Sequence, residues 1–183
     1  MADRAHALIS LEPRHAEAIL GTMKRVEFRR RSMNVPVGTT IWFYVKVPVG
    51  QVIGCAQVQG SHLLAPTTLW KRYGAVSGLT RTEFFDYFSG VAKGCAIVLE
   101  RPWRLSAGVP LRELRALVDG FQPPQFFQHL AHGGSLLTAF LGDVPPVVAT
   151  GGGRGHVTRP ILPRQRELAC QAASMQPSVS TGP

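Results

Sequence analysis

Apolar and polar positions recur along this chain with two different periods, and the switches between them mark out its elements. Ala7-Leu8-Ile9-Ser10-Leu11 is a short apolar run suited to a buried first strand. Pro13 presets a helical φ at a first-turn position, and Ala16, Ile19 and Leu20 follow at helical spacing before Gly21. A helix is therefore expected over 13–20. A strand at about 24–30 follows, with Arg25, Glu27 and Arg29 on one face and Val26 and Phe28 on the other. Asn34, Pro36 and Gly38 place a loop over 32–38.

The run 39–47 is rich in β-branched and aromatic residues and reads as a strand with Ile41 and Phe43 facing one way, Trp42 and Tyr44 the other. Pro48-Val49-Gly50 turns the chain into a further strand over 51–59, where Gly54 signals a bulge or a close backbone approach. Between Ala65 and Gly90 the period lengthens. A short helix is expected over 66–73, and a second one starts at the capping-box pair Thr80 and Glu83 and stops at Gly90. A central strand returns at 94–100, extended by Trp103-Arg104-Leu105 through a bend at Pro102. A helical turn at 111–117 precedes Pro123-Pro124-Gln125-Phe126-Phe127, a closing segment expected to pack back onto the body.

From Gly133 onward the pattern dissolves into Pro145-Pro146, Gly151-Gly152-Gly153 and a Ser/Gln/Pro/Gly terminus. Such composition buries too little apolar surface to offset chain entropy. The expected organisation is one mixed α+β domain over 1–132 and a disordered, flexible tail over 133–183 carrying Arg154, Arg159, Arg164 and Arg166.

Composition adds a direction to this plan. There are 20 Lys+Arg against 11 Asp+Glu, a formal net charge of +9, and only Lys24, Lys46, Lys71 and Lys93 are lysines. An arginine-weighted surplus suits an anionic partner such as nucleic acid. Cys55, Cys95 and Cys170 form no Cys-x-x-Cys pair and are odd in number, which argues against a disulfide framework or a structural zinc site. The N-terminus has no signal-peptide pattern and no run of about 18 apolar residues occurs, so a cytoplasmic protein with no membrane association is expected. His129-x-x-His132 has no carboxylate close by in sequence, and no metal or cofactor is expected.

Several local motifs, in order, resemble the ASCH family of the PUA-like superfamily. They are Ile9-Ser10-Leu11-Glu12-Pro13, Lys24-Arg25-Val26-Glu27-Phe28-Arg29, Tyr44 through Pro48-Val49-Gly50 to Ile53-Gly54, Leu69-Trp70 with Ser77-Gly78-Leu79, Tyr87-Phe88-Ser89-Gly90, and Pro123-Pro124-Gln125-Phe126. The resemblance covers roughly residues 7–130 and implies a PUA-like β-barrel with short flanking helices. It also implies a cleft that takes RNA or a nucleotide-like ligand, beside the signature Gly-x-Lys-x-x-Glu-x-Arg. Lys24, Glu27 and Arg29 match that signature, whereas Thr22 stands where its glycine is expected and Gly21 lies one place early. Some members are described as predicted transcriptional regulators. Others resemble amidohydrolases that deacetylate N4-acetylcytidine with a lysine and a threonine three residues later; here Glu27 fills that position, which argues against that chemistry.

The expected function is RNA or nucleotide binding in a basic cleft. Lys24, Arg25, Arg29 and Arg30 would contact phosphate or base edges, and Glu27 would orient Arg29 or accept from a base amino group. Trp42 and Tyr44 could offer a stacking platform, with core packing as the competing role for Trp42. Trp70 with Lys71-Arg72-Tyr73 is a second basic and aromatic cluster, its alternative being a helix with one packed tryptophan. A small hydrolase acting on RNA or a modified nucleoside is the alternative class, with Glu27 as general base and Lys24 stabilising developing charge. A plain protein-interaction module with a solvated basic strand is the third. The oligomeric state is left open.

Overall fold

The computed structural model describes residues 4–142. Its elements are β1 (His6–Leu11), α1 (Pro13–Leu20), β2 (Val26–Arg29), β3 (Thr40–Val45), β4 (Gln51–Leu64), α2 (Pro66–Tyr73), α3 (Arg81–Tyr87), β5 (Gly94–Pro110), α4 (Leu111–Leu117), β6 (Gln128–Leu130) and α5 (Ser135–Leu141). The class is α+β, as the alternating periods imply. Six strands form one sheet in the order β2-β5-β4-β3-β1-β6, with β1 parallel to β3 and the remaining pairs antiparallel. The terminal strands β2 and β6 do not pair with each other, so the sheet of this barrel-like PUA fold is not closed by hydrogen bonds between its ends.

The β3 strand lies inside the sheet and is buried on both faces. Ile41, Phe43 and Val45 join a core cluster with Ala16 and Ile19 of α1, while Trp42 and Tyr44 join another with Leu114 of α4 and Leu136, Leu137 and Phe140 of α5. Helices cover both sides, which is why this strand reads as a continuous apolar run rather than an alternating one. A third cluster gathers Val26 and Phe28 of β2 against Leu69, Phe84 and Phe88. Trp70 packs on Phe84 of α3 at 5.1 Å and Tyr73 stacks on His62 of β4 at 5.7 Å, so that aromatic cluster packs α2 against α3 and β4.

Most expected elements stand within a residue or two of their sequence positions. Thr80 caps α3 in a complete capping box with Glu83, whose carboxyl is held down to about 2 by the Thr80 backbone N–H, Arg14 and the Thr80 hydroxyl. Three differences matter. The β4 and β5 strands run much further than expected, to Leu64 and Pro110, and pair over most of that length. Pro102 does not end β5 because it sits in the bulge between the Gln57–Glu100 and Cys55–Trp103 pairs, where no ladder partner in β4 is matched to it.

The third difference is α5, which lies beyond the boundary drawn at 132. Leu136, Leu137 and Phe140 form its buried stripe, and the Phe140 ring sits 5.1 Å from Trp42. A seven-residue helix between glycines carries too few turns for periodicity to stand out, so the sequence reading merged it with the tail. Residues 143–183, including the tail arginines, lie outside the described residues.

The packing of α5 gives a direct expectation. Phe140→Ala should lower the unfolding free energy by about 3–5 kcal/mol, the cost of emptying a fully buried aromatic site. Leu141→Ala, at a position 44% exposed, should change it by less than about 1 kcal/mol in the same urea titration.

Candidate functional site

The turn from α1 into β2 is built around a buried set of charges. Lys24 is 2% exposed and Glu27 7% exposed. The Lys24 Nζ donates to the Ser77 carbonyl at 2.7 Å and lies 3.5 Å from Glu27 Oε2. Arg29 Nη2 lies 3.2 Å from Glu27 Oε1 and donates to the Ser10 carbonyl at 3.3 Å. Alternation along β2 puts Glu27 and Arg29 on one face, as expected, but that face is not solvated: α1, the loop around Ser77 and β1 close over it. Burial pushes the Lys24 ammonium below its usual value, with Glu27 opposing, and burial also pushes the His15 imidazole down. A buried charge needs a partner and hydrogen bonds, and here Glu27 serves two cations at once. The Nε of Arg29 is buried without a hydrogen-bond partner.

Next to this set opens a cleft of about 290 Å³ lined by Ile19, Thr22, Lys24, Arg25, Ala56, Gln59, Leu99, Glu100, Arg101 and Pro102. Irregular backbone makes it. Val58 pairs with Leu99 and Gly60 with Val98, leaving Gln59 as the extra residue of a β-bulge. Cys55 pairs with Trp103 and Gln57 with Glu100, so Ala56 opposes both Arg101 and Pro102. Bulges re-aim side chains and recur beside functional sites. The two non-glycine residues with positive φ among the described residues, Thr22 at 64° and Arg101 at 49°, both line this cleft. Such left-handed backbone costs free energy and clusters at functional positions.

The polar lining is open to a ligand. Arg25 and Arg101 are exposed, and Arg25, Gln59, Glu100 and Arg101 make no side-chain hydrogen bond or ion pair to another described residue. The Arg25 backbone is clamped, its N–H donating to the Val76 carbonyl at 2.8 Å and its carbonyl accepting from Leu99 at 2.8 Å. Two cations, one carboxylate and one amide therefore surround a half-open space with an apolar floor of Ile19, Ala56 and Leu99.

The sequence-predicted residues divide into four groups. Lys24 and Arg25 line the cleft, but Lys24 spends its ammonium inside the protein. Glu27 and Arg29 lie in the buried charge set, outside the cleft lining. Arg30 is held at the end of α3 by the Tyr87 and Ser89 carbonyls. Trp42 and Tyr44 are 0% and 3% exposed and offer no platform; the Trp42 indole donates to His6 Nδ1 at 3.2 Å. Helices α4 and α5 cover that face. Gln59, Glu100 and Arg101 were missed by sequence reasoning, and the one local signal for them was the bend at Pro102.

The turn also accounts for the displaced glycine. At Thr22, where the signature expects glycine, φ is 64°, the left-handed conformation glycine adopts freely. The turn takes a backbone conformation that glycine would adopt freely, and here threonine bears the strain.

No family model matches this chain. A Zymomonas mobilis protein named ASCH domain-containing ribonuclease is 41% identical to it over 123 residues, 67% of this chain and 82% of that protein. The chain belongs to the ASCH domain family. The crystal structure of ASCH from Zymomonas mobilis matches this ASCH chain with a TM-score of 0.70 at 36% identity, over 74% of this chain and 96% of that one. A hypothetical protein from Leishmania major, 16% identical with a TM-score of 0.51 over 75% of this chain and 93% of that one, shares the fold.

Two substitutions test the turn. Glu27→Ala strands the buried Lys24 and the largely buried Arg29 and should cost about 3–5 kcal/mol of stability in urea unfolding. Breaking the exposed Arg112–Glu113 pair at 3.9 Å should change it by less than about 0.5 kcal/mol. Thr22→Gly should raise stability by up to about 1 kcal/mol, because relief of left-handed strain outweighs the added chain entropy.

Proposed function

We propose that this ASCH protein binds single-stranded RNA in the cleft between the α1–β2 turn and the bulges of β4 and β5. The observation that carries this reading is the convergence of Arg25 and Arg101, two exposed guanidinium groups with no partner among the described residues, on one bulge-built cleft. Unpaired guanidinium forks match phosphate oxygens in geometry and charge. Gln59 and Glu100 then face the sugar and base edge, where an amide and a carboxylate meet hydroxyl and amino groups. Lys24 is a positioning residue in this scheme: its ammonium fixes the turn and its stem forms cleft wall. A volume of about 290 Å³ suits part of one nucleotide rather than a duplex, in keeping with recognition of RNA through unpaired bases. The surplus charge of +9 supports encounter with a polyanion.

A second reading is cleavage of the bound strand, supported by the name of the Zymomonas relative and by the presence of Glu100 beside two arginines. Glu100 would accept the proton of a ribose 2′-hydroxyl. The freed oxygen would attack the adjacent phosphorus, and the 5′-oxygen would leave with a proton from water. The arginines would balance the charge that develops on the phosphate. An amidohydrolase reading has no support from Glu27, which is locked between Lys24 and Arg29.

Fluorescence anisotropy with a labelled single-stranded RNA over a salt series tests the binding. Arg25→Ala and Arg101→Ala should each weaken affinity and reduce the slope of log affinity against log salt by ~0.7. Unchanged slopes in both variants would refute the cleft as the phosphate site. On a denaturing gel, Glu100→Gln should abolish fragment formation while the anisotropy signal persists. Fragments that accumulate equally with that variant rule out Glu100 as the base.

A further inference from the structure

We propose that Trp103 stacks on an unpaired base of the RNA strand next to the nucleotide held in the cleft, which deepens the RNA-binding reading and rests on it. The three tryptophans differ sharply in environment. Trp42 is fully buried against His6 and Phe140, and Trp70 is packed on Phe84 and Phe85. Trp103 is 41% exposed and makes no ring contact and no cation–π contact with any described residue. A large aromatic surface left open to water in the middle of a long strand is unusual and gains by being covered.

Its position ties it to the cleft. Trp103 follows Pro102, the last β5 residue to line that space, and stands two residues from Arg101, within about 7 Å along the backbone. The bulge opposite Ala56 bends the strand there. Because β2 pairs with β5 only as far as Val98, the stretch of β5 that carries Arg101 and Trp103 has one edge that β2 leaves open. Trp103 pairs with Cys55, which packs with Leu105 in the cluster on the α4–α5 side, so the indole lies on the sheet face opposite the cleft floor of Ile19, Ala56 and Leu99, and a strand of RNA leaving the cleft reaches it by crossing this edge. Arg104 is held by Glu17 of α1 and does not cover the indole by a cation–π contact. An aromatic face beside a cationic groove is the arrangement that single-stranded nucleic acid uses for sequence-tolerant stacking. A base needs only a π-face here, so the platform accepts uracil and adenine alike, whereas a duplex keeps its bases stacked inside.

The test uses the whole chain, hexauridylate, hexaadenylate, uridine monophosphate and an RNA hairpin whose fully paired stem is closed by a non-nucleotide linker. Trp103→Ala should weaken both hexamers by roughly 5- to 150-fold and leave binding of the mononucleotide and the hairpin unchanged. Trp103→Phe should retain most of the hexamer affinity. Hexamer binding should quench tryptophan emission in the native protein but not in Trp103→Phe, where Trp42 and Trp70 remain. Wild-type hexamer affinity in Trp103→Ala, with affinity lost in Arg25→Ala, overturns the stacking role while the cleft stands. An equal loss for hexamer and hairpin also overturns it. Absence of hexamer binding by the native protein refutes the cleft reading and the stacking role together.

Discussion

Three charges withdrawn from water in the α1–β2 turn hold the rest of this molecule in register. Glu27 lies between Lys24 and Arg29, and each cation also reaches a backbone carbonyl, Ser77 for one and Ser10 for the other. Those two carbonyls belong to distant parts of the chain: the loop before α3, and the first strand. The desolvation cost of burying such groups is of order several kcal/mol per ion and is recovered only when geometry and hydrogen bonds are complete. The turn therefore has few alternative arrangements, since moving any one member leaves another charge buried and unpaired. In physical terms the signature Lys-x-x-Glu-x-Arg is a clamp among α1, β1, β2 and the Ser77 loop.

That clamp changes which cation is available for chemistry. Lys24 is the residue a motif draws attention to, yet its ammonium is committed to Ser77 and Glu27. Its neighbour Arg25 has its backbone fixed on both sides, by Val76 and by Leu99, and its side chain has no ion pair or hydrogen bond among the described residues. A fixed backbone under an exposed cation is what a positioned ligand contact requires. The strain at Thr22 belongs to the same device, because the chain must reverse between Leu20 and Lys24 within a very short turn.

Much of the fold could be read from the residues because its determinants are local. Pro13 and Gly21 bracket α1, Thr80 and Glu83 cap α3, and the apolar run from Thr40 to Val45 could be nothing but a buried strand. The same run shows the limit of that reading. Periodicity separated Ile41 and Phe43 from Trp42 and Tyr44 correctly, but it could not say that helices would cover both faces, because the second cover comes from α4 and α5, some 70 to 100 residues later. Burial of an aromatic on a strand face is a property of what packs against it, and no local pattern encodes that.

The cleft was illegible for a related reason. It arises where β4 and β5 slip against each other, at Gln59 and at Arg101-Pro102, and a slip is a relation between two strands some 40 residues apart in sequence. Each strand alone reads as regular. Only Pro102, which cannot donate to a ladder, leaves a trace in the residues. The clamp and the bulges thus divide the work: buried charges, visible as a motif, fix the turn, while register slips, invisible to any motif, open the space beside it. A relative that kept Lys24, Glu27 and Arg29 but lost the bulge at Gln59 would keep the fold of the turn and lose the cleft, so the motif reports the architecture and the bulges decide what can bind.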